Sequence, residues 1–278
     1  MFDCALVAAA GDLPCVLADE GRNRGMRILC VGVVPDVEKD LAERVDSFVR
    51  VGLGELSRLV DVLKEAGVRS AILAGKVRRD HLVGGCLMDQ RFLKMLAGAK
   101  SQRANDLNTA VVKELSLEGI EVLEQRHLGR GLLAETGALG SSEPSDAEMS
   151  DIRYGLEILR VLGDLDIGQT VVVKDGCVMA VEAAEHTNEA IARGGTLAGG
   201  NGVVVKRSKK EQDLRFDVPT IGPNTIQSMH ASGCSAIAIE AGVTFILHRE
   251  RALELANGYG VSVTGVSPSA LRPITSEG

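Results

Sequence analysis

The sequence predicts an α/β protein, with a Rossmann-like N-terminal domain followed by a C-terminal mixed α/β domain. Three observations carry this. Hydrophobic residues make up 45% of the chain but aromatics only 3%, and Trp is absent. The interior must therefore be built from Val, Leu, Ile and Ala, the composition of buried strands in α/β folds. The chain opens on an apolar run at 2–10, a Gly11-Asp12-Leu13-Pro14 turn, a helix and a second apolar run at 26–34. Strand, glycine turn, helix, strand is the start of a doubly wound domain. After a Gly- and Ser-rich stretch at 137–144, the pattern changes to a capped helix followed by a hairpin. These signals set a Rossmann-like domain at 1–136, a linker at 137–144, a C-terminal α/β domain at 145–268 and a tail at 269–278.

Each element has a local cause. Pro14 suits the first turn of a helix, where its missing N–H costs nothing. Leu56, Leu59, Val60 and Leu63 follow helical spacing, and Gly67 stops that helix. A third strand at 70–74 runs into Gly75-Lys76-Val77-Arg78-Arg79. Three cations at a strand's carboxyl end suggest an anionic ligand, and a solvated basic turn reads the same way. Helices at 91–96 and 110–117 and a strand at 120–122 follow, then an irregular stretch at 127–134. Ser145-Asp146-Ala147-Glu148 is a capping box, and Met149, Ile152, Leu156 and Leu159 form a stripe behind it. Asp175-Gly176 between apolar runs at 170–173 and 177–181 marks a tight hairpin. Thr187 or Asn188 is expected to cap the next helix, and 194–202 reads as a flexible glycine-rich segment. A strand at 203–206, strands at 234–239 and 243–247, a helix at 249–257 stopped by Gly258 and a strand at 261–266 complete the chain.

The bulk properties exclude some functions. A net charge of -7 and few aromatics argue against nucleic-acid binding, which needs a basic footprint or stacking platforms. Lys206-Arg207-Ser208-Lys209-Lys210 is a local basic cluster able to meet phosphate. None of the six cysteines is in a C-x-x-C pair, which suits reduced, mostly buried thiols in a cytoplasmic protein. Asp3 and Asp12 interrupt the N-terminal apolar stretch, so no signal peptide is expected. No run approaches the roughly 18 apolar residues of a span, so any membrane contact is expected to be peripheral.

The stretch with most chemistry is Gln212-Asp213-Leu214-Arg215-Phe216-Asp217-Val218-Pro219-Thr220-Ile221-Gly222. If extended, it puts Asp213, Arg215 and Asp217 on one face, with Leu214, Phe216 and Val218 on the other. Carboxylates hold hard cations and Arg forks onto phosphate oxygens, so the row suits a metal ion or a phosphate. A solvated edge strand kept from pairing by its charges has the same pattern. Pro219 is expected to end ladder pairing, and Gly222-Pro223-Asn224 to open a helix. The five histidines have no metal-ligand spacing, and no P-loop, G-x-S-x-G or G-x-G-x-x-G occurs. What remains is cations and carboxylates near glycine turns, the parts that cleavage of a phosphoanhydride needs.

Several linked segments resemble one family. They are Leu73-Ala74-Gly75-Lys76-Val77-Arg78-Arg79; Leu165-Asp166-Ile167-Gly168-Gln169 with Val171 to Gly176 and Val181-Glu182-Ala183; the 212–223 stretch; and Ile239-Glu240-Ala241-Gly242 followed by Leu247 and Arg249-Glu250. Together, in order, they resemble the LpxI type of UDP-2,3-diacylglucosamine pyrophosphatase. The resemblance implies a two-domain enzyme of lipid A biosynthesis with the ligand between its domains. Such enzymes hydrolyse UDP-2,3-diacylglucosamine to lipid X (2,3-diacylglucosamine 1-phosphate) and UMP, with a divalent metal, usually Mg²⁺. It also implies a homodimer that meets its acylated substrate at the inner face of the cytoplasmic membrane. The essential carboxylate of the family's R-x-D-x-P motif falls on Asp217. Substrate contacts fall on Gly11, Asp12, Leu13, Lys76, Val77, Arg79, Gln169, Thr187, Asn188 and Lys209. With this reading Asp217 and Asp213 are expected to hold metal or water, and Arg215 to act with them on the diphosphate.

The chain departs from the family pattern in three places. Ala9-Ala10-Gly11 stands for a triple glycine, Glu185-His186-Thr187-Asn188 for E-G-T-D, and the G-D-D-A-L-L segment is altered around Ala104-Asn105-Asp106. Asn offers a divalent cation a weaker oxygen than Asp does. Two other functions stay open on the sequence: a non-catalytic nucleotide-sugar or lipid binder, and a Rossmann-like enzyme on another nucleotide.

Overall fold

The protein is described from a computed structural model covering residues 1–37, 39–77, 81, 87–98 and 104–267, with the backbone alone at 104 and 105. Arg78, Arg79, Cys86 and the tail at 269–278 lie outside the described residues. Two compact units divide the chain: Met1–Gly131 with Asp213–Asp217, and Leu132–Gln212 with Val218–Gly278.

In the first unit a five-stranded sheet has the order β3-β2-β1-β4-β5. Its strands are β1 (Cys4–Ala8), β2 (Ile28–Gly32), β3 (Ser47–Arg50), β4 (Ser70–Ala74) and β5 (Glu121–Val122), paired in parallel throughout. This is the Rossmann order, so the point where the winding reverses lies between β1 and β4. The sequence signals missed β3, whose residues are only half buried. The described residues of the unit also form helices α1 (Leu13–Asn23), α2 (Leu56–Glu65), α3 (Gln90–Gly98) and α4 (Ala104–Leu117). The α2 stripe is buried as its spacing requires: Leu63 is fully buried in a core that also holds Ala5, Leu29 and Ala71.

The second unit is built on a six-stranded mixed sheet, β6-β13-β11-β9-β7-β8. Its strands are β6 (Gly137–Ala138), β7 (Thr170–Lys174), β8 (Cys177–Val181), β9 (Gly202–Lys206), β11 (Cys234–Glu240) and β13 (Ser262–Val266). β9, β11 and β13 run parallel; β7 pairs antiparallel with both β8 and β9. A second, two-stranded parallel sheet pairs β10 (Thr220–Ile221) with β12 (Phe245–Ile246). Helix α5 (Asp146–Asp164) covers one face of the large sheet, with Ile152, Leu156 and Leu159 on Val171, Val173, Val203 and Val205. The other face, carrying Val172, Val204 and Ile237, packs on α6 (Thr187–Ala198), α7 (Pro223–Ser232) and α8 (Arg249–Tyr259). The alternation of odd and even positions along each strand divides the two layers.

The local signals of this unit formed as expected. Ser145 Oγ accepts from the Glu148 N–H, and the Glu148 carboxylate accepts from the Ser145 N–H at 2.8 Å. Asp175 and Gly176 both have positive φ, as a tight hairpin turn demands.

Four expectations are corrected. Residues 194–198 are helix, not a flexible segment, because Gly194 and Gly195 are where α6 touches its neighbours. A Cβ on Gly194 would lie 2.5 Å from Val172 Cβ, and one on Gly195 would lie 2.5 Å from the Ser232 carbonyl. The N-cap of α6 is His186, not Thr187 or Asn188. Helix α8 runs through Gly258 and stops at Gly260, whose φ of 69° supplies the left-handed cap. Pro219 does not end a ladder: its carbonyl accepts from the Phe245 N–H at 2.8 Å, just ahead of the β10–β12 pair.

Candidate functional site

In the first unit, the turns after β1 and β4 meet where the winding reverses. The Lys76 N–H donates to the Ala10 carbonyl at 2.8 Å, and the Ala9 N–H to the Ala74 carbonyl at 2.8 Å. Gly75 makes this approach possible: its φ is 95°, and a Cβ there would sit 2.7 Å from the Ala9 carbonyl oxygen. Gly11, with φ 99°, then turns the chain into α1, whose N-cap is Asp12 and first residue Leu13. Gly11, Asp12, Lys76 and Val77 are exposed and Leu13 is half buried, so the two turns present one accessible face. Arg79, assigned to the same turn, lies outside the described residues.

The Asp213–Asp217 segment belongs to this first unit although its neighbours in sequence belong to the second. It is a turn and not an extended row, which corrects the single-face arrangement considered from sequence. The Asp213 carbonyl accepts from the N–H groups of Phe216 at 3.2 Å and Asp217 at 3.0 Å. The turn folds Arg215 back onto Asp213: Nε donates to Oδ1 at 2.8 Å and Nη2 to Oδ2 at 2.6 Å. This fork holds the Asp213 carboxyl below the usual carboxylate range and raises the Arg215 guanidinium. Phe216 packs against the core of the unit, and the Leu214 carbonyl accepts from the Gln125 N–H at 3.0 Å. Gln125 is 1% exposed, and its Nε2 donates to the Leu73 carbonyl at the end of β4, at 2.7 Å. One buried residue therefore ties β4 to the turn that carries Asp217.

In the second unit, the assigned residues gather at the edge formed by the carboxyl ends of β9 and β11. Gln169 immediately precedes β7, whose first residue pairs with Lys206 at the end of β9. Gln212 Nε2 donates to Gln169 Oε1 at 3.1 Å, and Gln212 Oε1 accepts from the Lys209 N–H at 2.8 Å. Lys209 Nζ donates to Asp166 at 2.6 Å, so this cation is held in an ion pair. Thr187 opens α6, and the Asn188 carbonyl accepts from Ser228 Oγ at 3.1 Å.

Two charged residues to which the resemblance gives no role lie behind this edge, one of them in the basic cluster noted from sequence. Glu182 is 6% exposed and Lys206 is 2% exposed. Glu182 Oε1 accepts from Thr187 Oγ1 at 2.9 Å, and Glu182 Oε2 from the Gln169 N–H at 3.2 Å. Lys206 Nζ donates to Thr187 Oγ1 at 2.8 Å. A sequence signal existed: each charge ends an all-apolar strand run, Cys177–Val181 and Val203 to Val205, at the same sheet edge. His186, between these groups, has φ 74° and ψ 171°, a region that L side chains rarely occupy.

Among the described residues no group of three or more His, Cys, Asp or Glu side chains is arranged to hold a metal ion. Mg²⁺ does not require one, because it is commonly held by one or two carboxylates completed by substrate phosphates and water. The Asp213–Asp217 turn carries two carboxylates, the number of protein ligands that such a site needs. Of the cysteines, Cys4, Cys15, Cys30 and Cys234 are buried free thiols and Cys177 is an exposed one. Burial pushes Cys4 up to about 11 and Cys30 up to about 12.

A Rossmann-ordered unit and a mixed-sheet unit, each with polar side chains at a carboxyl-end edge, define a two-unit α/β protein. The chain belongs to the LpxI family: the LpxI N-terminal domain matches residues 3–132 and the LpxI C-terminal domain residues 135–264. It is similar to the UDP-2,3-diacylglucosamine pyrophosphatase LpxI of Caulobacter vibrioides, with 32% identity over 96% of this chain and 99% of that one. That relative is, by its name, a hydrolase of a diphosphate bond. Among solved structures, a likeness extends to the biotin carboxylase domain of Hydrogenobacter thermophilus 2-oxoglutarate carboxylase, at 14% identity and a TM-score of 0.28, covering 71% of this chain and 41% of that one. Kluyveromyces lactis urea carboxylase matches at 13% identity and a TM-score of 0.31, over 62% of this chain and 12% of that one. TM-scores at this level carry no argument about this chain.

Proposed function

We propose that this protein hydrolyses the diphosphate of UDP-2,3-diacylglucosamine, giving 2,3-diacylglucosamine 1-phosphate and UMP in lipid A biosynthesis. The observation that carries this is the end-to-end similarity to the Caulobacter vibrioides pyrophosphatase. The arrangement of the Asp213–Asp217 turn supports it. Asp217 acts on the attacking water, whose oxygen bonds to the phosphorus on the sugar side while the bond to the bridging oxygen breaks and UMP leaves. Asp217 takes the proton of that water. Arg215, oriented by Asp213, meets the charge that spreads over the phosphoryl oxygens. Asp217 and Asp213 would hold Mg²⁺ together with diphosphate oxygens, and the bound ion would neutralise developing charge. In the first unit Gly11, Asp12, Leu13, Lys76, Val77 and Arg79 are assigned to the substrate. In the second, Gln169, Thr187, Asn188 and Lys209 are.

The protein works as a homodimer in the cytoplasm and meets its acylated substrate as a peripheral visitor to the inner membrane face. No helix among the described residues is long and apolar enough to cross a membrane.

A second reading, a non-catalytic nucleotide-sugar binder, is favoured by one observation: the α6 start carries Asn188 and a strained His186. Turnover of UDP-2,3-diacylglucosamine with Mg²⁺, beside chelator and Asp217→Ala controls, separates the two. Lipid X and UMP from the wild type alone, and only with metal, support the hydrolase. No product from folded wild-type protein, with the ligand still bound, would establish the binder.

A further inference from the structure

We propose that Glu182 is a positioning residue of the second unit, setting Gln169 and Thr187 at a fixed spacing with Lys206 as its buried partner in the network. Four observations converge on it. The carboxylate spends one oxygen on each of two segments: Oε1 accepts from Thr187 Oγ1 at 2.9 Å and Oε2 from the Gln169 N–H at 3.2 Å. The Thr187 hydroxyl sits between charges, donating to Glu182 and accepting from Lys206 Nζ at 2.8 Å. Glu182 and Lys206 are both more than nine-tenths buried. The loop before Gln169 is pressed onto Glu182, since a Cβ on Gly168 would lie 1.9 Å from the Glu182 carbonyl oxygen.

Burying an acid and a base costs desolvation that is recovered only with close, well-made hydrogen bonds. Replacing both with apolar groups is often neutral or stabilising, so stability alone does not account for the network. What it does physically is constrain. Next to Thr187, His186 holds a backbone conformation that L side chains rarely adopt. Such strain persists only where neighbouring contacts over-determine it. The hydrogen bonds to Thr187 supply that constraint on one side. On the other, the His186 carbonyl accepts from the Ala190 N–H at 3.2 Å. Glu182 therefore acts through Thr187 and Gln169 and does not itself touch substrate.

This inference rests on the hydrolase reading, which assigns Gln169 and Thr187 to the substrate. The test compares wild type, Glu182→Gln and Glu182→Gln/Lys206→Met. For each, Tm is measured first, and then kcat and KM for UDP-2,3-diacylglucosamine well below that Tm, per folded molecule. Exchange of the Gln169 amide proton is followed in the same samples. Glu182→Gln is expected to lower Tm, because the Thr187 hydroxyl and the Gln169 N–H lose a charged acceptor, and the double variant to stay below wild type as well. kcat/KM is expected to stay about 10- to 100-fold down in both, with faster Gln169 exchange, because misplacement by about an ångström costs rate on that scale. A structural role alone would move Tm and leave kcat/KM per folded molecule at the wild-type value. That outcome, or unchanged Gln169 exchange, would overturn the proposal while wild-type turnover keeps the hydrolase reading. Wild-type protein without turnover would remove the hydrolase reading and the positioning role together.

Discussion

Asp213 and Arg215 form a two-pronged ion pair across a single intervening residue, Nε to Oδ1 at 2.8 Å and Nη2 to Oδ2 at 2.6 Å. An extended backbone would point both side chains to one side without forcing contact; the turn closes them on each other. The fork fixes the plane of a guanidinium assigned to phosphate oxygens. Lys at 215 would keep the charge and lose that plane. Arg215→Lys is therefore expected to lower kcat by about 10-fold or more with a smaller change in KM, measured by steady-state kinetics. Equal kcat values would show that the planar fork is not used in turnover.

The same pair has a pH signature. The folded-state pKa of Asp213 is depressed, chiefly by the Arg215 hydrogen bonds. A depressed carboxylate contributes stability above its unfolded-state pKa and loses it as pH falls through the folded value. The stability difference between wild type and Asp213→Asn should thus be full at neutral pH and shrink below about pH 4. Denaturant unfolding of the two proteins from pH 7 to pH 2.5 checks this, and a constant difference would speak against the pairing.

His186 offers a stability test with the opposite sign. Its φ of 74° and ψ of 171° suit glycine far better than an L side chain. His186→Gly removes about 1–3 kcal/mol of strain against an unfolded-state entropy cost of about 0.5–1 kcal/mol. The variant should melt a few degrees higher by calorimetry. A lower Tm would mean that the imidazole contributes more than the strain costs.

Glycines inside α6 act the other way. A Cβ at 194 would fall 2.5 Å from Val172 Cβ and 3.0 Å from Ala180 Cβ, both on the sheet face beneath the helix. Gly194→Ala raises helix propensity by about 1 kcal/mol but overpacks the core by about 1–3 kcal/mol. The net expectation is destabilisation, read as a lower denaturant midpoint. In Gly199→Ala, by contrast, no clash arises and the cost is that of the left-handed φ of 66° alone.

The thiols give a chemical test of burial. Cys177 is exposed, whereas Cys4 and Cys30 are buried and burial pushes them up to about 11 and about 12. Thiolate is the reactive form, so alkylation at pH 8 should modify Cys177 well before Cys4 or Cys30, as mass spectrometry of the digested protein would show. Early labelling of Cys30 would contradict the buried β2.

Local patterns carried much of the fold. The α2 stripe, the Ser145–Glu148 box and the Asp175-Gly176 turn each depend on residues within about one turn of each other, so their partners are visible in the sequence. The candidate site was legible in part. The Asp213–Asp217 stretch was singled out by its charges, but Glu182 was quoted only within a motif, because a buried charge shows itself only when its partners do.

By itself, then, the sequence determined the aliphatic α/β class, most helices and strands, and the family resemblance that the whole-chain matches show. The tertiary structure alone decided which partners those elements meet. It places Asp213–Asp217 in the first unit, bonded to Gln125 far back in the chain. It makes a helix of residues 194–198 by giving the glycines a sheet and a neighbouring helix to press against. It joins Glu182, Thr187 and Lys206 across three separate elements. The physical reason is common to all three: hydrogen bonds and close packing between distant residues depend on distances in space, and a sequence pattern records only distances along the chain.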